Sequence, residues 1–333
     1  MAQIAVMGAG SWGTAFALVL ADAGNTVRMW GRRADLCEAI TNDHQNADYL
    51  PGIELPETIS ATADPADALA GAEAVILAVP SQQLRSNLES WAAHIPGDAV
   101  MVSLMKGVEL GTHLRMSEVI AELTGAGPER IAVVSGPNLA REIAQREPAA
   151  SVVACADEAV AERLQKWCHT PAFRPYTNTD VVGCELAGTT KNVIGLAVGV
   201  AVGLGFGDNS KASIITRGLA EAARLGMAMG ADPVTFMGLA GMGDLVATCS
   251  SPLSRNRTFG EKLGQGLTVD EVTAQTRQVA EGVKSCRSVS ELAKAHGVEM
   301  PIVEHVAALI AGEMSPKDLV DALISRKAKS EGV

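Results

Sequence analysis

Six residues near the amino end, Gly8-Ala9-Gly10-Ser11-Trp12-Gly13, constrain what this chain can fold into more than any others. They follow the β-branched run Gln3 to Met7 and lead into the helix-forming run Thr14-Ala15-Phe16-Ala17-Leu18-Val19-Leu20. G-x-G-x-x-G between a strand and a helix is the dinucleotide-binding pattern. The first glycine permits a tight turn, the second lets the backbone approach a pyrophosphate, and the third lets helix and strand pack closely. The pyrophosphate then rests on unpaired N–H groups at the positive end of the helix. Gly8, Gly10, Ser11, Trp12 and Gly13 are therefore candidate cofactor contacts. A plain glycine-rich turn is the alternative, disfavoured by the flanking strand and helix.

Cofactor choice is read at the end of the second strand, where an NAD-binding turn presents Asp or Glu to the ribose 2′-hydroxyl. This chain has Gly31-Arg32-Arg33 there. A carboxylate would repel a 2′-phosphate, whereas Arg32 and Arg33 can grip it with charge-assisted hydrogen bonds. NADP(H) is the preferred cofactor on this reading, with NAD(H) second; two solvated arginines opening a surface helix are the alternative.

Beyond the glycine turn, short apolar runs alternate with helical segments. Candidate strands are Gln3 to Met7, Thr26 to Trp30, Ala74 to Ala78, Ala99 to Ser103, Ile131 to Ser135 and Ser151 to Cys155. Such alternation implies a doubly wound parallel sheet of the Rossmann type. The runs at Ala74 and Ile131 are apolar on successive positions, as helices on both faces require. After about Thr179 only helical periodicity remains, over Cys184 to Val202, Asn209 to Met229, Val269 to Thr276, Lys284 to Ala295, Ile302 to Ala311 and Pro316 to Ile324. Gly230 and Gly297 sit where a left-handed helix stop is expected. At 333 residues the chain exceeds one core. The expected division is a dinucleotide-binding domain over 1–180 and a helical substrate domain over 181–333.

A net charge of −11 argues against a nucleic-acid surface, which needs clustered Lys and Arg. A small phosphorylated ligand needs only a few local donors and stays possible. The six cysteines lie far apart without C-x-x-C spacing and read as reduced thiols of a cytoplasmic protein. The six histidines form no ligand spacing, so no metal is expected. The apolar stretch Val193 to Phe206 is shorter than the roughly 20 residues of a membrane span. It is also broken by Gly195, Gly199, Gly203 and Gly205, and glycines at four-residue intervals make a smooth helix face onto which another backbone can pack, so a buried core helix is expected.

Three stretches of the second half are too particular for scaffold: Glu185-Leu-Ala-Gly-Thr-Thr-Lys191-Asn192, Gly203-Leu-Gly-Phe-Gly-Asp208-Asn209-Ser-Lys211, and Leu239-Ala-Gly241-Met-Gly243-Asp244 running on to Ser254-Arg255-Asn256-Arg257. Lys191 shares its helix face with Ala187, Gly188, Ile194 and Gly195, where an ammonium is poorly solvated. Burial of that kind lowers a lysine pKa toward the range useful for proton exchange. Snorkelling to the surface, or pairing with Glu185 or another acid, is the competing reading. Ser254 reads as an N-cap, and the free N–H groups after it make an anion site. Asp244 is costly to bury without a partner.

Together with the glycine turn, Lys106-Gly107 and Ser135-Gly136-Pro137-Asn138, these stretches resemble the bacterial glycerol-3-phosphate dehydrogenase family over essentially the whole chain. The resemblance implies reduction of dihydroxyacetone phosphate to sn-glycerol 3-phosphate for glycerophospholipid synthesis, in a homodimer. It implies that Lys191 is the general acid/base, with Lys106, Gly136, Asn138, Asp244, Ser254, Arg255 and Asn256 on the substrate. Lys106, Ala140, Arg255, Val279 and Glu281 are implied on the cofactor side. Three departures from the family are Val202 in place of Asp, Met105 in place of Ser or Thr, and Thr189-Thr190 in place of an apolar pair. The rival readings are a 3-hydroxyacid or ketopantoate-type reductase, which binds a carboxylate, and an NADP(H)-sensing protein without turnover.

Overall fold

The computed structural model describes residues 1–275 and 280–324. Two compact units emerge. One joins Met1–Met105 to Arg115–Val181; the other joins Lys106–Leu114 to the residues from Val182 onward. The excursion Lys106–Leu114 is a feature that one boundary at residue 180 does not contain.

The first unit runs β1 (Gln3–Met7), α1 (Ser11–Asp22), β2 (Thr26–Trp30), α2 (Ala34–Asn42), β3 (Ile59–Thr62), α3 (Pro65–Leu69), β4 (Ala74–Leu77), α4 (Leu84–Trp91), β5 (Val100–Ser103), α5 (Met116–Thr124), β6 (Ile131–Ser135), α6 (Ala140–Ala144), β7 (Ala149–Cys155), α7 (Glu158–Cys168) and β8 (Phe173–Asn178). Its sheet has the order β3-β2-β1-β4-β5-β6-β7-β8. The expectation of a wholly parallel sheet is corrected at one seam: β7 runs antiparallel to β6, and β8 continues parallel to β7. A short connection through α6 reverses the chain there, and an antiparallel return needs no long crossover. β4, β5 and β6 are buried at every position, because helices cover both faces. The strand order reverses between β1 and β4, and doubly wound folds bind their ligands outside the carboxyl ends of the strands at such a point.

Two strands lie outside the expected set. β3 has only four residues, Ile-Ser-Ala-Thr, and β8 carries Pro175. Both are edge strands, where short length and proline are tolerated.

The second unit comprises the excursion and α8 (Val181–Gly203), α9 (Asp208–Ala228), α10 (Pro233–Met237), a π-turn at Leu239–Gly243, α11 (Asp244–Ser250), α12 (Arg255–Gly264), α13 (Val269–Ala274), α14 (Glu281–Ala295), α15 (Pro301–Ile310) and α16 (Pro316–Ile324). α8 is longer than its apolar stretch implied. By length and a mean hydropathy of 1.3 it could cross a membrane, but 83% of that window is buried inside the protein, so it is a core helix. Its glycine face meets α12 backbone to backbone. A Cβ at Gly199 would land on the Arg257 carbonyl, one at Gly203 on the Glu261 carbonyl, and one at Gly260 on the Leu196 carbonyl. Gly230 and Gly297 close α9 and α14 with φ of 86° and 66°, the left-handed region only glycine enters freely.

Candidate active site

The glycine turn is built to hold a phosphate. Gly8 has φ 135°, and a Cβ there would stand 2.5 Å from the Ala78 carbonyl oxygen, so no side chain fits. A Cβ on Gly13 would strike the Gly8 carbonyl, the close helix–strand approach expected of the third glycine. Gly10, by contrast, faces open space and caps α1 without any side-chain hydrogen bond. The first turn of α1 carries no acidic residue. The N–H groups that follow Gly10, led by Ser11 and Trp12, precede the first helical bond, from Thr14 N–H to the Gly10 carbonyl. They are donors for an anion. The buried Trp12 Nε1 has no protein partner among the described residues, one more donor awaiting a ligand. These features fit a dinucleotide pyrophosphate.

Asn46 braces the turn. Its amide donates to the Ala9 carbonyl at 3.0 Å and to Thr14 Oγ1 at 2.8 Å. At the end of β2 the two arginines differ. Arg33 caps α2 and is engaged by Asp35 and Asp48, while Arg32 is exposed with no ion pair among the described residues.

In the helical unit, one carboxylate holds two lysines. Asp244 opens α11, is 2% exposed, and lies with Oδ2 at 2.5 Å from Lys106 Nζ and Oδ1 at 3.0 Å from Lys191 Nζ. Lys191 projects from α8 and also donates to Thr248 Oγ1 at 2.6 Å. Thr248 in turn donates to Asp244 Oδ1 at 3.4 Å. A buried carboxylate this close to two ammoniums resolves the cost of burying any of them alone, and leaves one net positive charge. Burial lowers the Lys106 pKa to about 8; the Asp244 carboxylate opposes that shift and the Lys191 cation adds to it. An ammonium has three donors; Lys191 spends one on Thr248 and stands beside Asp244 as an ion pair. No further acceptor for it stands among the described residues.

α12 supplies an anion site beside this centre. Ser254 is its N-cap, accepting from Arg257 N–H at 3.3 Å, and the first turn has no acidic residue. Asn256 is more committed than its sequence position implied. Its Nδ2 donates to Asn192 Oδ1 at 2.8 Å, and its Oδ1 accepts from Gly282 N–H at 2.9 Å. It thus ties α8, α12 and α14 together and keeps one amide N–H for a ligand. Glu281 begins α14, and its charge acts on the Arg255 guanidinium.

In the first unit, Gly136 follows β6 with φ 142°, Ala140 begins α6, and Asn138 accepts from Ser151 Oγ at 3.2 Å. The buried Nδ2 of Asn138 has no hydrogen-bond partner among the described residues. Val279 lies outside the described residues. Thr248 and Asn192 are the residues sequence reasoning missed as parts of the site. Thr248 stands four positions after Asp244 on one helix, which places both on the same face. Among the departures, Thr190 donates back to the Leu186 carbonyl at 2.7 Å, so its hydroxyl is satisfied inside α8. Met105 is buried and Val202 packs on the helical core. Among the described residues no group of three His, Cys, Asp or Glu could hold a metal ion.

Residues 3–161 match the family model of the NAD-dependent glycerol-3-phosphate dehydrogenase N-terminus, and residues 180–321 that of its C-terminus. A glycerol-3-phosphate dehydrogenase of Streptomyces griseus, named for NAD(P)+, is 65% identical over 329 residues, covering 99% of this chain and 98% of its own length. One of Thermobifida fusca with the same name is 63% identical over 333 residues, 99% of each chain. Among solved structures, the glycerol-3-phosphate dehydrogenase of Coxiella burnetii superposes with a TM-score of 0.93 at 37% identity, covering 98% of this chain and 99% of that one. A ketopantoate reductase from Ralstonia eutropha reaches a TM-score of 0.61 at 17% identity over 96% of this chain and 99% of its own, a likeness of fold alone.

Proposed function

This chain belongs to the NAD-dependent glycerol-3-phosphate dehydrogenase family, and we propose that it performs that reaction through Lys191, held by Asp244, on a substrate whose phosphate rests at the start of α12. The chain is an NAD(P)-dependent oxidoreductase acting on a CH–OH group, reducing dihydroxyacetone phosphate to sn-glycerol 3-phosphate for glycerophospholipid synthesis. When bound, the nicotinamide supplies the hydride that C2 of the ketone receives.

The observation that carries the assignment to Lys191 is that it is held from two sides: it donates to Thr248 and pairs with Asp244, so the ammonium is positioned before substrate arrives and keeps N–H groups to donate, as general acid catalysis requires. As negative charge develops on the carbonyl oxygen, Lys191 donates its proton there. Asp244 keeps both lysines in place through the transfer. Lys106 adds positive charge that favours the developing alkoxide and the substrate dianion. The Ser254 hydroxyl, the Arg255 guanidinium, the free Asn256 amide N–H and the first-turn N–H groups of α12 hold the phosphate. In the reverse direction neutral Lys191 accepts the hydroxyl proton.

On the dinucleotide side, Gly8, Gly10, Ser11, Trp12 and Gly13 receive the pyrophosphate. Gly136, Asn138, Ala140, Val279 and Glu281 complete the substrate and cofactor contacts, the unspent Asn138 Nδ2 being the support for that group. NADP(H) is preferred over NAD(H), supported by Arg32, which is exposed and has no ion pair among the described residues. The protein takes a small phosphorylated substrate; a homodimer in the cytoplasm accompanies this reading through family membership, and sedimentation tests the dimer.

A substrate panel tests the function. Dihydroxyacetone phosphate should be reduced with kcat/KM at least about 100-fold above dihydroxyacetone or a branched 2-keto acid, since the phosphate anchor is what positions the carbonyl. Faster turnover of the keto acid would transfer the protein to the carboxylate-binding reductases.

A further inference from the structure

The turn after β2 holds two arginines but little net positive charge. Arg33 spends all three guanidinium nitrogens on carboxylates: Nε and one terminal nitrogen on Asp35 at 3.1 and 2.6 Å, and the other terminal nitrogen on Asp48 Oδ2 at 2.5 Å. Asp35 lies in the first turn of α2, so its position is local. Asp48 comes from the segment between α2 and β3, the same segment that sends Asn46 to the glycine turn. The two anions hold the Arg33 charge far above the ordinary arginine range, the Asp35 hydrogen bond acting most strongly. Arg32, one residue earlier, is exposed and has no ion pair among the described residues. Arg32, Arg33, Asp35 and Asp48 together sum to zero charge.

We infer that Asp48, with Asp35, is a specificity-determining residue: the two carboxylates more than offset the Arg33 charge, so that discrimination for a 2′-phosphate falls to Arg32 alone and a ribose 2′-hydroxyl remains acceptable. The inference rests on the cofactor site proposed above. A phosphate dianion approaching this turn meets one free guanidinium and two carboxylates that compete for the other. A hydroxyl meets no such conflict, because a carboxylate oxygen accepts its hydrogen bond. Asp48 is the counter-ion to remove, since its side chain is half exposed and begins no helix.

The test is calorimetric titration of the whole protein with adenosine 2′,5′-bisphosphate and with 5′-AMP, which reports binding without turnover. Asp48→Asn should tighten the bisphosphate by about three- to five-fold, the size expected when one exposed ion pair is released, and leave 5′-AMP within two-fold. Arg32→Ala should weaken the bisphosphate by about ten-fold or more and spare 5′-AMP. An Asp48→Asn protein with unchanged or weaker bisphosphate affinity overturns the inference, as does an Arg32→Ala protein that keeps it. Failure of the wild-type protein to bind either nucleotide would instead overturn the cofactor site on which the inference stands.

Discussion

Asp244→Asn is the substitution whose consequences follow most directly from the geometry. The amide is isosteric, so packing is kept, but the carboxylate charge between Lys106 and Lys191 disappears. What remains is two ammoniums with side chains only 13% and 11% exposed, and no anion between them. Removing one partner of a buried ion pair costs about 3–5 kcal/mol. Here part of that cost is avoided by deprotonating a lysine, and Lys106 is the one already lowered to about 8 with Asp244 opposing the shift. Converting about 3 kcal/mol at 1.36 kcal/mol per pH unit moves its titration down by about two units. Below its pKa Lys106 is a cation that helps hold the substrate dianion; above it that charge is gone. The alkaline limb of kcat/KM in the wild-type enzyme should therefore fall near pH 8, and in Asp244→Asn about two units lower. At pH 7 the variant should lose about 100-fold in kcat/KM, since Lys191 is no longer aimed and Lys106 no longer charged. The assay is initial-rate NADPH oxidation between pH 5.5 and 9.5 with dihydroxyacetone phosphate varied. An Asp244→Asn enzyme within three-fold of wild type, with its alkaline limb unmoved, would refute the reasoning.

Other expectations rest on separate contacts. Gly199→Ala puts a Cβ onto the Arg257 carbonyl, a backbone atom that no rotamer can move; despite the better helix propensity of alanine, the urea midpoint should drop by an amount equivalent to about 1–3 kcal/mol, and a raised midpoint would contradict the α8–α12 seam. Asn46→Ala removes two buried hydrogen bonds from the glycine turn and should cost about 1–3 kcal/mol of stability while raising the KM for NADPH; an unchanged cofactor KM would separate the brace from the turn. Burial pushes the Cys168 and Cys249 thiols up to about 12 and Cys286 to about 11, so a thiol reagent at pH 8 should label the native protein slowly and label all six cysteines once it is unfolded; rapid native labelling of Cys249 would contradict the packing around α11.

Legibility in the sequence followed the range over which each signal acts. β1, β2 and β6 have the expected bounds: β6 announces itself as a continuous apolar run, and β1 and β2 as short runs rich in apolar and β-branched residues bounded by turns. β3 and β8 are edge strands, partly buried in β3 and exposed at alternate positions in β8, and carry no such signature. The N-cap at Ser254 was visible because capping is decided within four residues. The excursion Lys106–Leu114 was not, since membership of a core by Val108 is a property of distant partners. The same limit explains Arg33. Its pairing with Asp35 is local, but Asp48 reaches it through a loop whose path no periodicity records. Asn256 was expected on the substrate, yet most of its hydrogen bonds go to Asn192 and Gly282, far away in sequence.

The most direct test of the central claim is the fall in absorbance at 340 nm when purified protein, NADPH and dihydroxyacetone phosphate are mixed, repeated with NADH and with Lys191→Ala. NADPH should be oxidised rapidly and NADH more slowly, and the variant should lose about 10²- to 10⁴-fold in kcat. Undiminished turnover in Lys191→Ala would remove the proposed acid, and no oxidation by the wild-type protein with either cofactor would contradict the account as a whole.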